Sequence, residues 1–156
     1  MPVENPKYIF DTGPFILLKH YPPKTFISFW ECFNSMIING QVTSVSEVLR
    51  ELKPDVMYDW ADSHKELFPK PEIEEQILAA EILKRHPELV KQKHIISGMP
   101  VADPFILAKA KITNSIVVTV ETYKPNAHNI PNICENMGIK WLVGLVAVME
   151  EEGWRF

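Results

Sequence analysis

The stretch Tyr8-Ile-Phe-Asp11-Thr-Gly-Pro14 constrains the fold of this chain more than any other. Three residues that favour strands are followed at once by an acid, a hydroxyl and a Gly-Pro break. This pattern predicts a short buried strand that ends at Asp11. In an open parallel α/β sheet, ligands bind beyond the carboxyl ends of the strands. Asp11 therefore stands where a metal ion or a substrate would be held.

Strand and helix patterns alternate along the rest of the chain. Further strands are predicted at residues 41–45, 115–120 and 139–142. Helices are predicted at residues 25–38, 44–52, 55–68, 72–85, 88–93, 101–110, 132–137 and 143–152. Helices between strands imply crossover connections and a mostly parallel sheet, so we expect an α/β fold. One domain over residues 1–156 is expected at this length.

Composition narrows the class of protein. The net charge of −4 argues against a broad basic surface for bulk nucleic-acid binding. It leaves room for a nuclease whose own carboxylates carry bound cations. Cys32 and Cys134 make no disulfide framework, which favours reduced thiols and a cytoplasmic protein. The sequence has neither a signal-peptide pattern nor an apolar run near the ~18 residues of a membrane span, so no membrane association is expected.

Four acids follow strands or open helices: Asp11, Glu47, Asp103 and Glu121. Each has a structural interpretation of its own. Asp11 starts a turn, Glu47 forms a capping box with Ser44, Asp103 caps a helix, and Glu121 is a solvated strand end. Taken together, however, the four fall on one side of the predicted sheet. Carboxylates brought together repel one another and stay ionised only if cations neutralise them.

The residue types around these acids indicate which cation. Oxygen ligands without His or Cys favour Mg²⁺ or Mn²⁺. Thr12 and Thr119 stand beside two of the acids, where a hydroxyl orients a carboxylate, although Thr119 is equally explained as a strand residue. The five histidines show no ligand spacing, and His128 is interpreted as a surface residue. Candidate phosphate contacts, most of them also explained as surface charge, are Lys19, Arg50, Lys109, Lys111 and Lys124.

The chain resembles the PIN-domain family. The resemblance rests on Tyr8-Ile-Phe-Asp-Thr-Gly, Ser46-Glu-Val-Leu-Arg-Glu, Ala102-Asp-Pro-Phe-Ile-Leu-Ala and Val117-Val-Thr-Val-Glu. It implies a three-layer α/β/α sandwich and a Mg²⁺- or Mn²⁺-dependent ribonuclease. Asp11, Glu47 and Asp103 match the three central acids of the family, and Glu121 falls where the family often has Asp. Many PIN proteins of this size are toxins of VapBC-type toxin–antitoxin pairs, and the segment after Glu121 is typical of an outlying branch.

This resemblance implies hydrolysis of RNA by water, with an antitoxin protein or a second copy of the chain as candidate partners. Two alternatives stay open at this point. A haloacid-dehalogenase-like phosphatase also begins from an Asp after its first strand, but it needs a second acid where this chain has Gly13. The other alternative is a PIN-like module that binds RNA or protein without cutting.

Overall fold

A computed structural model describes residues 5–90 and 101–156, and its centre is a four-stranded sheet. The strands are β1 (Tyr8–Phe10), β2 (Val42–Thr43), β3 (Ile116–Thr119) and β4 (Trp141–Val143). Their order is β2-β1-β3-β4, and every pair is parallel. Helices connect the strands and flank the sheet. This arrangement confirms the predicted α/β/α sandwich with a parallel sheet.

The helices that flank the sheet are short. They are α1 (Thr12–Leu17), α2 (Ile27–Ile38), α3 (Ser46–Glu51), α4 (Tyr58–Asp62), α5 (Ile73–Arg85), α6 (Asp103–Thr113), α7 (Ile130–Met137) and α8 (Leu145–Glu152). Single 3₁₀ turns occupy Leu18–His20, Lys65–Leu67 and Pro87–Leu89. Within the described ranges, no helix has the length and apolar character needed to cross a membrane. Part of the helix predicted at 88–93 lies outside the described residues.

The helix predicted over residues 55–68 is wrong in extent. The structure has only the five residues of α4 and a separate 3₁₀ turn there. The Ser63 hydroxyl donates to the carbonyl of Trp60 at 2.6 Å, and His64 Nδ1 lies 2.8 Å from the same oxygen. Polar side chains that bond to nearby backbone offer an alternative to the helical hydrogen bonds. The helix therefore ends at Asp62.

The central strand β1 lies in the middle of the hydrophobic core. Tyr8, Ile9 and Phe10 are fully buried, as expected for a parallel strand that is covered on both faces. The ring centroid of Phe10 lies 5.3 Å from that of Phe15 and 5.8 Å from that of Phe33. Helices α1 and α2 are thereby fixed against the strand that ends just before Asp11.

Strand register brings the ends of β1 and β3 to one place. Phe10 pairs with Val118, and the backbone N–H of Asp11 donates to the carbonyl of Val118 at 2.9 Å. A side chain at Gly13 would place its Cβ 2.9 Å from Cγ1 of Val120, and closer still to Cγ2. Glycine at position 13 therefore lets the segment after β3 approach the start of α1.

Candidate functional site

Asp11 and Glu47 are the two buried residues among the four predicted acids, and Asp11 lies at the carboxyl edge of the sheet. Its side chain is only 7% exposed, and the Thr119 hydroxyl donates to Oδ2 at 3.2 Å. Burial raises the pKa of Asp11 to about 7, against the lowering effect of the Thr12 backbone hydrogen bond. The negative charges of Glu121 and Glu51 raise this pKa further. Asp11 is thus costly to ionise unless a cation accompanies it.

Glu121 is tied to the same edge through Thr119. Its backbone N–H donates to the Thr119 hydroxyl at 3.2 Å, and its Oε2 accepts from the N–H of Ile130 at 2.9 Å. Ile130 is the first residue of α7, where the helix dipole favours an anion. Glu121 is therefore a helix-capping group as well as a neighbour of Asp11. Burial and both of these acids raise the pKa of the Cys134 thiol to about 12, so sulfur stays protonated beside the site.

Glu51 is an acid of this site that was not selected from the sequence. Its Oε2 accepts from the Thr12 hydroxyl at 2.5 Å, and its Oε1 accepts from the N–H of Ala102 at 3.4 Å. Its charge acts on Asp11, as the raised pKa of that residue shows. Glu51 lies one helical turn after Glu47, and this spacing of two acids is the sequence signal that could have identified it.

Glu47 is also buried, at 5% exposure, but its surroundings differ. Its carboxylate accepts from the Ser46 hydroxyl at 3.1 Å. The pKa of Glu75 is raised mainly by burial, and the charge of Glu47 raises it further. The capping box with Ser44 is absent: Val45 stands at the N-cap, and the Ser44 hydroxyl donates to the carbonyl of Phe10 at 2.6 Å. The charge of Glu47 thus acts on Glu75 of α5, while Glu51, one turn later on α3, reaches Thr12.

Asp103 is half-buried and is the first residue of α6, whereas the predicted capping position is occupied by Ala102. It directly follows Ala102, whose N–H donates to Glu51. The hydrogen bonds thus form two connected sets, one joining Asp11, Thr119 and Glu121, and one joining Thr12, Glu51 and the start of α6. The charge of Glu51 on Asp11 links the two sets.

The five candidate phosphate contacts differ in what they can do. Lys109 is buried at 8% exposure, with its pKa lowered by burial against the opposing charges of Glu75 and Glu72, so it is not a surface contact. Lys19 pairs with Asp55 at 3.6 Å. Lys111 donates to the carbonyl of Met137 at 2.8 Å. The two remaining residues, both exposed, are Arg50 and Lys124.

The fold and the site define a parallel α/β protein with carboxylates gathered where its strands end. Residues 8–156 match the family described as a domain of unknown function, DUF4411, and the chain belongs to that family. The match includes all four strands and every acid of the site. No curated protein matches the sequence.

Proposed function

We propose that this protein is a metal-dependent endoribonuclease that hydrolyses RNA phosphodiester bonds. The observation that carries the proposal is the nearly buried carboxyl group of Asp11, with Glu51 and Glu121 close enough to raise its pKa. Acids gathered in this way are costly to ionise, and a hard divalent cation removes that cost. The resemblance to PIN domains in the segments around Asp11 and Asp103 supports the same activity.

The donor set fits Mg²⁺ or Mn²⁺, because the groups that meet around Asp11 are carboxylates and hydroxyls. Asp11, Asp103 and Glu121 would hold the ion, and either Glu51 or Glu47 would add the fourth carboxylate. When bound, the cation supplies activation of the attacking water and stabilisation of the leaving oxygen.

The contribution of the chain itself is to fix these carboxylates in place. Thr119 donates to Asp11, Thr12 donates to Glu51, and the first N–H of α7 donates to Glu121. Hydrogen bonds of this kind orient ligand groups before an ion arrives and favour the ionised form of a carboxylate.

A toxin of a toxin–antitoxin pair is the biological role that we propose, with an antitoxin protein as partner. The resemblance to single-domain PIN proteins supports this role. We also propose a cytoplasmic location, which suits the two unpaired cysteines, Cys32 and Cys134. RNA would approach the exposed cations Arg50 and Lys124, whose positive charge offsets the acidity of the chain near the phosphates.

Cleavage of a mixed-sequence RNA oligonucleotide by the purified protein tests the enzymatic proposal. Cleavage is expected with Mg²⁺ or Mn²⁺ and is expected to stop when a chelator is added. Asp11→Asn and Asp103→Ala should be inactive, whereas Asp59→Asn, on the exposed face of α4, should cleave like the wild type. Undiminished cleavage by chelator-treated protein would refute the metal-dependent mechanism. RNA binding without cleavage would instead indicate the non-catalytic module.

Induced expression in a host cell tests the toxin role. Growth arrest by the wild type, but not by Asp103→Ala, is the expected result. Normal growth in cells that contain active nuclease would contradict the toxin role and favour RNA processing.

A further inference from the structure

A second group of metal-binding side chains lies outside the acidic site. His86, Glu88 and His128 each offer one ligand atom, and these atoms all lie within 4.8 Å of one another. His128 Nδ1 is 3.9 Å from Oε2 of Glu88, and the rings of His86 and His128 are 6.4 Å apart. Residues from two distant parts of the sequence thus converge on one point.

The first half of this group is held by the end of α5. The N–H of His86 donates to the carbonyl of Ile82 at 2.8 Å, and the N–H of Leu89 donates to the carbonyl of His86 at 3.0 Å. Leu89 is buried and anchors the 3₁₀ turn that carries Glu88. The backbone at His86 and Glu88 is therefore fixed, while the Glu88 side chain can move.

The second half is the loop between β3 and α7, which is ordered by amide side chains. Asn129 Nδ2 donates to the carbonyl of Thr122 at 2.8 Å, and Asn132 Nδ2 donates to the carbonyl of Lys124 at 2.6 Å. The Asn129 side chain also accepts from the N–H of Asn132, at the start of α7. His128 therefore lies in a loop that is held in place by side-chain hydrogen bonds.

We propose that His86, Glu88 and His128 form a Zn²⁺ site that joins this loop to the end of α5. Two imidazole nitrogens and one carboxylate oxygen are ligands that suit Zn²⁺ and not Mg²⁺. Around a tetrahedral zinc ion with bonds of about 2.1 Å, ligand atoms lie about 3.4 Å apart. The side chains of His128 and Glu88 are 54% and 48% exposed, so they are free to make the small movement required.

Three protein ligands leave a fourth zinc position for water or for a small anion. His86 and His128 also line a cavity of about 290 Å³ together with Tyr123 and Asn132. The site therefore has room beside it for that fourth ligand.

The position of the site gives zinc a defined structural effect. The loop that holds His128 runs from Glu121 to Ile130, and these two residues are joined by the hydrogen bond from the Ile130 N–H to Glu121. Zinc bound at His128 would attach the C-terminal part of this loop to the end of α5. The ion would then steady the segment on which Glu121 stands, whether or not the protein cleaves RNA.

Calorimetric titration of the protein with Zn²⁺, in excess Mg²⁺ to fill the acidic site, tests the proposal. One zinc ion per chain is expected. His86→Ala, His128→Ala and Glu88→Gln should each weaken binding by more than about 10-fold, the smallest loss typical of removing a group that only hydrogen-bonds to a metal ligand. The matched controls His20→Ala and Glu81→Gln change exposed residues outside the cluster and should bind zinc like the wild type.

Two further measurements keep the outcome clear. Asp11→Asn should still bind one zinc ion, which separates this site from the acidic one and from the proposed nuclease activity. Co²⁺ in place of Zn²⁺ should give visible absorption bands typical of four-coordinate cobalt. These bands should disappear in Glu88→Gln, which is the variant to measure if His86→Ala does not fold. Absence of zinc binding, or wild-type affinity in all three cluster variants, would overturn the proposal.

Discussion

Replacing Asp11 with asparagine is expected to stabilise the metal-free protein, even though it removes a group that the proposed activity needs. The pKa of Asp11 rises from 3.8 to about 7 on folding, mainly through burial. The folded state therefore binds this proton more tightly than the unfolded state. Ionisation of Asp11 costs folding free energy that is absent below about pH 4 and complete above about pH 7.

The size of the effect follows from the pKa. A rise from 3.8 to about 7 corresponds to about 4 kcal/mol of folding free energy above pH 7. This figure is a ceiling, because relaxation and water entry reduce the cost of a buried charge. Asparagine keeps the size of the side chain and an oxygen that accepts from Thr119. We therefore expect Asp11→Asn to gain about 2–4 kcal/mol at pH 8 and much less at pH 5.

Urea unfolding followed by tryptophan fluorescence, in chelator at both pH values, measures this difference. Addition of Mg²⁺ at pH 8 should stabilise the wild type through binding to the folded state and leave Asp11→Asn unchanged. Asp59→Asn, an exposed carboxylate on α4, serves as the matched control and should change stability little at either pH. An Asp11→Asn protein that is no more stable than the wild type at pH 8 in chelator would refute the reasoning from burial.

Three further outcomes are expected. Glu51→Gln should lower the initial cleavage rate on the order of 100-fold, because its charge reaches Asp11; loss of activity in Glu47→Gln with none in Glu51→Gln would restore Glu47 as the ligand. The RNA fragments should carry 5′-phosphate and 3′-hydroxyl ends by mass analysis, and 2′,3′-cyclic phosphate ends would rule out water as the nucleophile. Gly13→Ala should lower the free energy of unfolding by about 1–3 kcal/mol in urea, because the new Cβ overlaps the Val120 side chain. A second change, Val120→Ala, should restore part of that loss. An unchanged Gly13→Ala protein would show that the Val120 side chain simply turns away.

Features set by strand topology could be predicted from the sequence. The apolar run of β1 fixed a buried central strand, and alternation with helices fixed a parallel sheet. Thr119 and Glu121 meet Asp11 because the carboxyl ends of adjacent parallel strands share one edge. Positions along a strand follow from its two-residue period, which needs no knowledge of neighbouring helices.

Features that depend on how a helix packs or on where a loop lies could not be predicted from the sequence. Glu47 and Glu51 stand one turn apart on α3, and only the packing of that helix decides which of them reaches Thr12. The end of α4 depends on side-chain bonds to the carbonyl of Trp60, which compete with helix in a sequence of ordinary propensity. His86 and His128 have no local spacing in common, because the contact between them is made by two separate segments.

The rate at which Cys134 reacts with a thiol reagent reports how often the interior of the protein becomes exposed. This residue of α7 is fully buried, and its thiol has a pKa raised to about 12, whereas reaction with thiol reagents requires the thiolate. Cys32, on α2, is only half-buried and is the cysteine that a reagent meets first. In a protein whose Cys32 has been replaced, the rate at which a reagent modifies Cys134 would then measure how often α7 separates from the acidic edge of the sheet. Added Mg²⁺ or Zn²⁺ would change that rate in a single labelling experiment.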